Sequence, residues 1–434
     1  MNRAAAIGLV LLLPAIAHAQ QSQRCFWEAS GGQRVIEVAP GVRNIYLSRT
    51  PNQQILLRCP DRGIRIPADS LESYEGEGRV FLIGNVHYAE PRLSVDSDFL
   101  TYYQREERVV ANGNVDARLP NGSRLIGPVA EYLRATPTTR PIERMFASGR
   151  PTITLVQQDS AGQPSPPTTV LANNITTVGD SLVYAGGQVV VRREDVIARG
   201  DSMALDSELE ITRLLRGPSI EGRRVRPFRL SGTVIELTGA DRKLSRVLAM
   251  GEARATSEDL ILTSDTIDLR VGDGLLQRAV AWGPSRARAH SQTQELIADS
   301  IDVAMPAQRV REIYAVRGAA AHGRPDSTRF RADTVDWMRG DTIIARFDTT
   351  VVDTTRLREL HAIGNARSYY HLAPADTSLN RPAINYVTGR EIVIDFREQR
   401  VTNVNVVEQA SGVYLEPTPA AATDTSRRAA PEAV

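Results

Sequence analysis

Three features of the sequence predict an all-β fold. Apolar residues alternate at every second position in short runs, a small-residue–Asp step returns about every thirty residues, and a glycine interrupts the run after each step. The expected architecture is an elongated, twisted, open β-jellyroll built from about ten stacked antiparallel hairpin repeats.

The chain begins with Arg3, an apolar stretch from Ala4 to Ala17 and the triplet Ala17-His18-Ala19. A charged start, a short apolar middle and an A-x-A end describe a cleavable secretory signal over 1–19, which places the mature chain in the periplasm. The stretch is short for a membrane span, which needs about 20 apolar residues. The 52 basic and 51 acidic side chains nearly cancel, so no global field draws the protein to nucleic acid or to an anionic membrane surface.

Residues 20–61 read as an N-terminal strand unit ("RVIEVAP", "NIYLSR", "QILLRC"). Cys25 and Cys59 are the only cysteines, and an oxidising compartment favours their pairing. Such a bridge contributes about 3–4 kcal/mol in the chain-entropy model.

From 62 to 410 the small residue before the Asp slot recurs at Ala68, Ser97, Gly127, Ala172, Gly200, Gly232, Ser264, Ala298 and Ala332, with Gly389 as a weaker tenth. The long gaps fall at Pro/Gln/Ser-rich loop insertions near 156–168 and 370–384. Two or four residues before each step stand apolar side chains: Ile64 and Ile66, Leu93 and Val95, Leu125, Val170, Val196, Phe228 and Leu230, Leu260 and Leu262, Leu296, and Phe330. A second strand follows and ends at glycine, as in "RVFLIGNV" at Gly84, "RVVANGNV" at Gly113 and "LHAIGNAR" at Gly364. Glycine inside a strand marks a bend or a close backbone approach. If both strands turn the same corner there, the stacked units form two facing sheets joined along a folded edge. Helical repeats share a period near 34, but the Val, Ile and Thr content and the internal glycines exclude them. Residues 411–434 read as a disordered tail.

The stretch "GIRIPADSLESY…VFLIGNV…LSVDSDFLTYY…VVANGNV" at 63–115 resembles the OstA-like, LptA-type family of lipopolysaccharide-transport proteins. The resemblance is strongest over 62–150 and continues by repeat spacing to about 408. It implies an open jellyroll whose apolar interior shelters acyl chains, with Ile64, Ile66, Leu93 and Val95 facing a lipid groove that the later ladder residues continue. It also implies periplasmic partners: lipopolysaccharide or a similar envelope lipid, other jellyroll-domain transport proteins joined through edge strands, and an outer-membrane LptD-like barrel. No enzyme activity, cofactor or metal is implied. The competing expectation is a dry, closed sandwich acting as a lipid-free scaffold for envelope protein assembly.

Other signals carry less. The aspartate ladder (Asp69, Asp98, Asp201, Asp265, Asp299, Asp333) supplies one carboxylate per unit, too few for calcium, and reads as a set of bend residues flanked by arginines. "GDSL" at 179–182 spells a hydrolase nucleophile block, yet no histidine has an Asp three residues before it and no catalytic triad is indicated. Two Arg-Gly-Asp triplets, 199–201 and 339–341, fall at repeat positions. Arg223, Arg224, Arg226 and Arg229 read as a solvated loop, with a phosphate contact as the alternative.

Overall fold

The computed structural model describes residues 25–418, apart from 30, 195, 224–226, 258–259, 326–329, 349–355, 377–378 and 399. The expected leader at 1–19 lies outside the described residues. Among the described residues there are thirty β-strands and two single-turn 3-10 segments, so the chain is all-β as its alternation predicts. Backbone contacts group it into two compact units, Met1–Pro120 and Asn121–Val434.

The first unit shows how the repeat works. Arg79–Glu90 pairs with Leu93–Tyr103 as far as Ile83 opposite Phe99, and pairing resumes at Val86 opposite Ser97. Gly84 and Asn85 therefore face Asp98 alone. This two-against-one bulge bends the strand and shifts the phase of its alternation. On Leu93–Tyr103 the buried positions run Leu93, Val95, Ser97 and then Leu100, Tyr102. A single step of three, in place of two, carries the apolar side chains of both halves to the inside of the bend. Each long strand so contributes to two half-sheets, which meet along a line of corners and end in two rows of hairpin turns, here called the lips.

The small-Asp step and the glycine are the two sides of one corner. Gly113 has φ of 76° and Asn114 has 47°. A Cβ on Gly113 would stand 2.4 Å from Asp98 Oδ2. The Asn114 side chain donates to that same oxygen at 2.9 Å, and Asn85 donates to Asp69 Oδ2 at 2.7 Å. Asn365 donates to Asp341 Oδ2 at 3.3 Å in the second unit. Asp69, Asp98 and Asp341 are thus bend residues, and Asp201 and Asp299 take arginines, at 3.3 and 3.5 Å, whereas Asp333 of the expected ladder lies in no strand. Among the described residues no cluster of His, Cys, Asp and Glu suits a metal ion.

Several expectations are corrected. The strands before residue 61 do not stand apart. Val42–Ser48 pairs with Ser70–Tyr74 and Ile55–Cys59 pairs with Ile64–Ala68, so they extend the same half-sheets. Cys25 and Cys59 are bridged, tying Phe26–Glu28 to Ile55–Cys59. The ninth corner lies at Gly340–Asp341 and not at Ala332–Asp333, because residues 330–335 are in no strand and the ladder begins again only with Asp336–Asp348. "ADTVDW" copies the composition of the step without its pairing. At the expected Ala172 step the partner of Asn173 is Gly187, followed by Gln188, inside the strand Leu182–Arg193, a glycine that the expected strand ends do not include. The insertion near 370–384 shrinks to 373–382, since strands reach Leu372 and begin again at Ala383. Ser411–Leu415 is a strand paired with Ala383–Arg397, where a disordered tail is expected from 411; residues 419–434 lie outside the described residues.

Candidate functional site

The inward ladder is the feature shared by every repeat. In the first unit Ile64, Ile66, Leu93 and Val95 point inside and are at most 3% exposed. In the second unit Leu125, Val170, Val196, Leu230, Leu262 and Leu296 are also buried, at most 9% exposed, with Phe228 and Leu260 half-buried at strand ends. Phe330 departs from the ladder. It lies in the inserted loop and packs on His371, and its inward place is taken by Met338, two residues before the Gly340 corner.

The two layers interlock. Leu57, Ile66, Leu82 and Leu100 have essentially no exposure, and Tyr370 reaches across to Phe396 with ring centroids 6.4 Å apart. Small residues such as Ala249, Ala281, Ala315 and Ala362 fill much of the second unit's interior. This is the closed packing that the groove expectation competes with. A cavity of about 20 Å³, room for about one water, opens at the lips of the second unit between Val196, Phe228, Leu244 and Leu276.

Polar contacts hold the lips together. In the first unit Arg62, in the 3-10 turn Pro60–Arg62, pairs with Glu107 at 2.7 Å and donates to the Tyr102 hydroxyl at 2.7 Å. In the second unit the Ser160 N–H donates to Asp241 Oδ1 at 2.7 Å, and Arg242 Nε donates to the Gln158 carbonyl at 3.2 Å. The Ser160 N–H is also the main reason the Asp241 carboxyl titrates below its ordinary value.

No known family model matches the chain, and no curated protein matches it. The sequence signals are therefore settled by geometry alone. "GDSL" forms the hairpin turn between Asn174–Val178 and Leu182–Arg193, with Gly179 at φ of 58°. Both Arg-Gly-Asp triplets sit at corners, where Arg199 pairs with Glu221 at 3.0 Å. Arg229 stands 4.0 Å from Glu221, and Arg224 and Arg226 lie outside the described residues.

One arrangement has no local signal in the sequence. His371 Nδ1 lies 2.7 Å from Asp336 Oδ1, and His371 Nε2 lies 3.2 Å from the Thr334 hydroxyl. Carboxylate, imidazole and hydroxyl in that order form the relay of a nucleophilic triad. Here the imidazole is 3% exposed and Phe330 packs against it. Burial also pushes the Asp336 carboxyl above its ordinary value, which weakens it as an anionic partner. The cluster buckles the 330–335 loop onto the outer face of the strand Arg356–Leu372.

The end strands of both units present apolar side chains to solvent. Gln33–Ala39 is exposed throughout, including Val35, Ile36 and Val38, and among the described residues pairs on one side only, with Val42–Ser48. Among the described residues Ser411–Leu415 pairs only with Ala383–Arg397, and it exposes Val413 and Leu415.

Proposed function

We propose that the chain is a non-enzymatic, periplasmic carrier for lipopolysaccharide or a similar acyl lipid on its way to the outer membrane. The observation that carries this reading is the inward aliphatic ladder, repeated in every unit and bounded by a lip seam closed with polar contacts. In the closed state the ladder packs on itself, so loading requires the lips to part. A chain of about twelve methylenes gains about 10 kcal/mol on leaving water, comparable to re-exposing about five inward side chains at about 2 kcal/mol each. Exchange of self-packing for lipid packing over two or three repeats is therefore close to balance. The exposed end strands suit edge-to-edge pairing with other jellyroll domains and an outer-membrane barrel.

The interlocked interior favours a second reading, a lipid-free scaffold for envelope protein assembly. Depletion in the native host separates the two. The carrier reading predicts loss of surface lipopolysaccharide, whereas normal surface lipopolysaccharide with loss of a protein complex would replace it with the scaffold.

A further inference from the structure

The outer face of the last strands of the second unit carries two rows that the ladder does not use. Arg339 stands directly opposite Arg367, and Arg367 opposite Thr388 and then Ser411. One step along, Trp337 stands opposite Tyr369, then Tyr386. The Trp337 and Tyr369 rings are parallel within 10° at 6.0 Å, Tyr386 meets Trp337 edge-on at 6.2 Å, and Arg339 lies 4.9 Å over Trp337. The buckled loop borders this surface through Thr334, whose hydroxyl is 3.5 Å from that of Tyr369.

Like charges directly opposite on neighbouring strands destabilise a sheet. Elsewhere in this unit arginines answer that problem with carboxylates: Arg213 faces Glu236, Arg346 faces Glu312, and Arg246, directly opposite Arg270, shares Asp268 with it at 2.9 and 2.8 Å. Arg339 and Arg367 are both exposed and have no carboxylate partner among the described residues. The nearby acids are engaged elsewhere: Asp336 with His371, Glu295 with Arg288, Glu408 with Arg390, and Asp341 with Asn365. Two opposed guanidinium groups beside two hydroxyl residues match a phosphate or carboxylate, which would relieve their repulsion. The adjoining aromatic row offers the kind of surface that takes the C–H face of a pyranose ring.

We propose that this face binds an acidic oligosaccharide, with its anionic group on Arg339 and Arg367 and a sugar ring against Trp337, Tyr369 and Tyr386. The proposal is independent of lipid carriage, because the ligand needs no acyl chain and does not enter the interior. Calorimetric titration of the full chain with trigalacturonic acid, a phosphorylated trisaccharide, neutral maltotriose and inorganic phosphate tests it. Saturable binding of at least one acidic sugar, at least tenfold tighter than maltotriose or phosphate, is expected. R339Q/R367Q and W337L should each lose at least tenfold while keeping the β circular-dichroism spectrum. Equal binding of phosphate alone, equal binding of maltotriose, no binding of either acidic sugar, or unchanged affinity in a folded R339Q/R367Q variant would overturn it.

Discussion

Replacing Gly113 with alanine tests the corner that makes the fold. Alanine at φ of 76° costs about 1 kcal/mol for the left-handed backbone alone. Its Cβ would also stand 2.4 Å from Asp98 Oδ2 and 3.0 Å from Asp98 Cβ. Asp98 must therefore swing aside and give up its bond from Asn114, about another 1–2 kcal/mol. The sum is about 2–3 kcal/mol. Gly41→Ala is the control, since Gly41 has φ of 73° with nothing within 4 Å of a Cβ, and it should cost only about 1 kcal/mol. Urea unfolding, with hydrogen exchange at the Val109 and Val115 amides as a local probe, measures both. Asp98→Ala in the Gly113→Ala background should cost less than the two single changes added together, by about 1 kcal/mol. Equal losses for Gly113→Ala and Gly41→Ala, with no coupling to Asp98, would refute the corner argument.

Two further outcomes are expected. Arg62→Ala removes the charge-assisted contact to the Glu107 carboxylate at a lip where both side chains are about 15% exposed, and should lower first-unit stability by about 2 kcal/mol and speed exchange at inward amides such as that of Leu100; unchanged exchange would show that the pair does not hold the seam. The Asp69 carboxyl is held below its ordinary value, chiefly by the Asn85 amide. Its contribution to stability is therefore complete above the unfolded value near 4 and is lost as pH falls through the lower folded value. The urea midpoint should drop as pH falls below the ordinary carboxylate value, and Asp69→Asn should flatten that drop; an unchanged slope in Asp69→Asn would contradict the assignment.

The repeat was legible because the corners demand particular chemistry: a small residue followed most often by Asp on one strand, and a left-handed Gly on the next. Alternation then placed Ile66, Leu93 and Leu262 inside correctly. Composition misled where pairing and composition part company. Ala332–Asp333 has the right residues, yet the ladder resumes only at Asp336, which moves Phe330 off the inward row. Ser411–Leu415 is too short and too exposed for periodicity to reveal. Neither Asp336 with His371, thirty-five residues apart, nor Arg339 opposite Arg367 follows from local sequence, because both depend on strand register. The degree to which the two layers close on each other was also beyond the sequence, since inward aliphatic residues serve a dry core and a lipid track equally well.

Photo-crosslinking amino acids at Ile66 and Leu262, expressed in the cell envelope with Arg65 and Phe330 as outward and off-ladder controls, test the central claim most directly. The carrier account predicts acyl-lipid adducts at Ile66 and Leu262 and none at the controls. Adducts at the controls alone, or intramolecular crosslinks only at the inward positions, would contradict it.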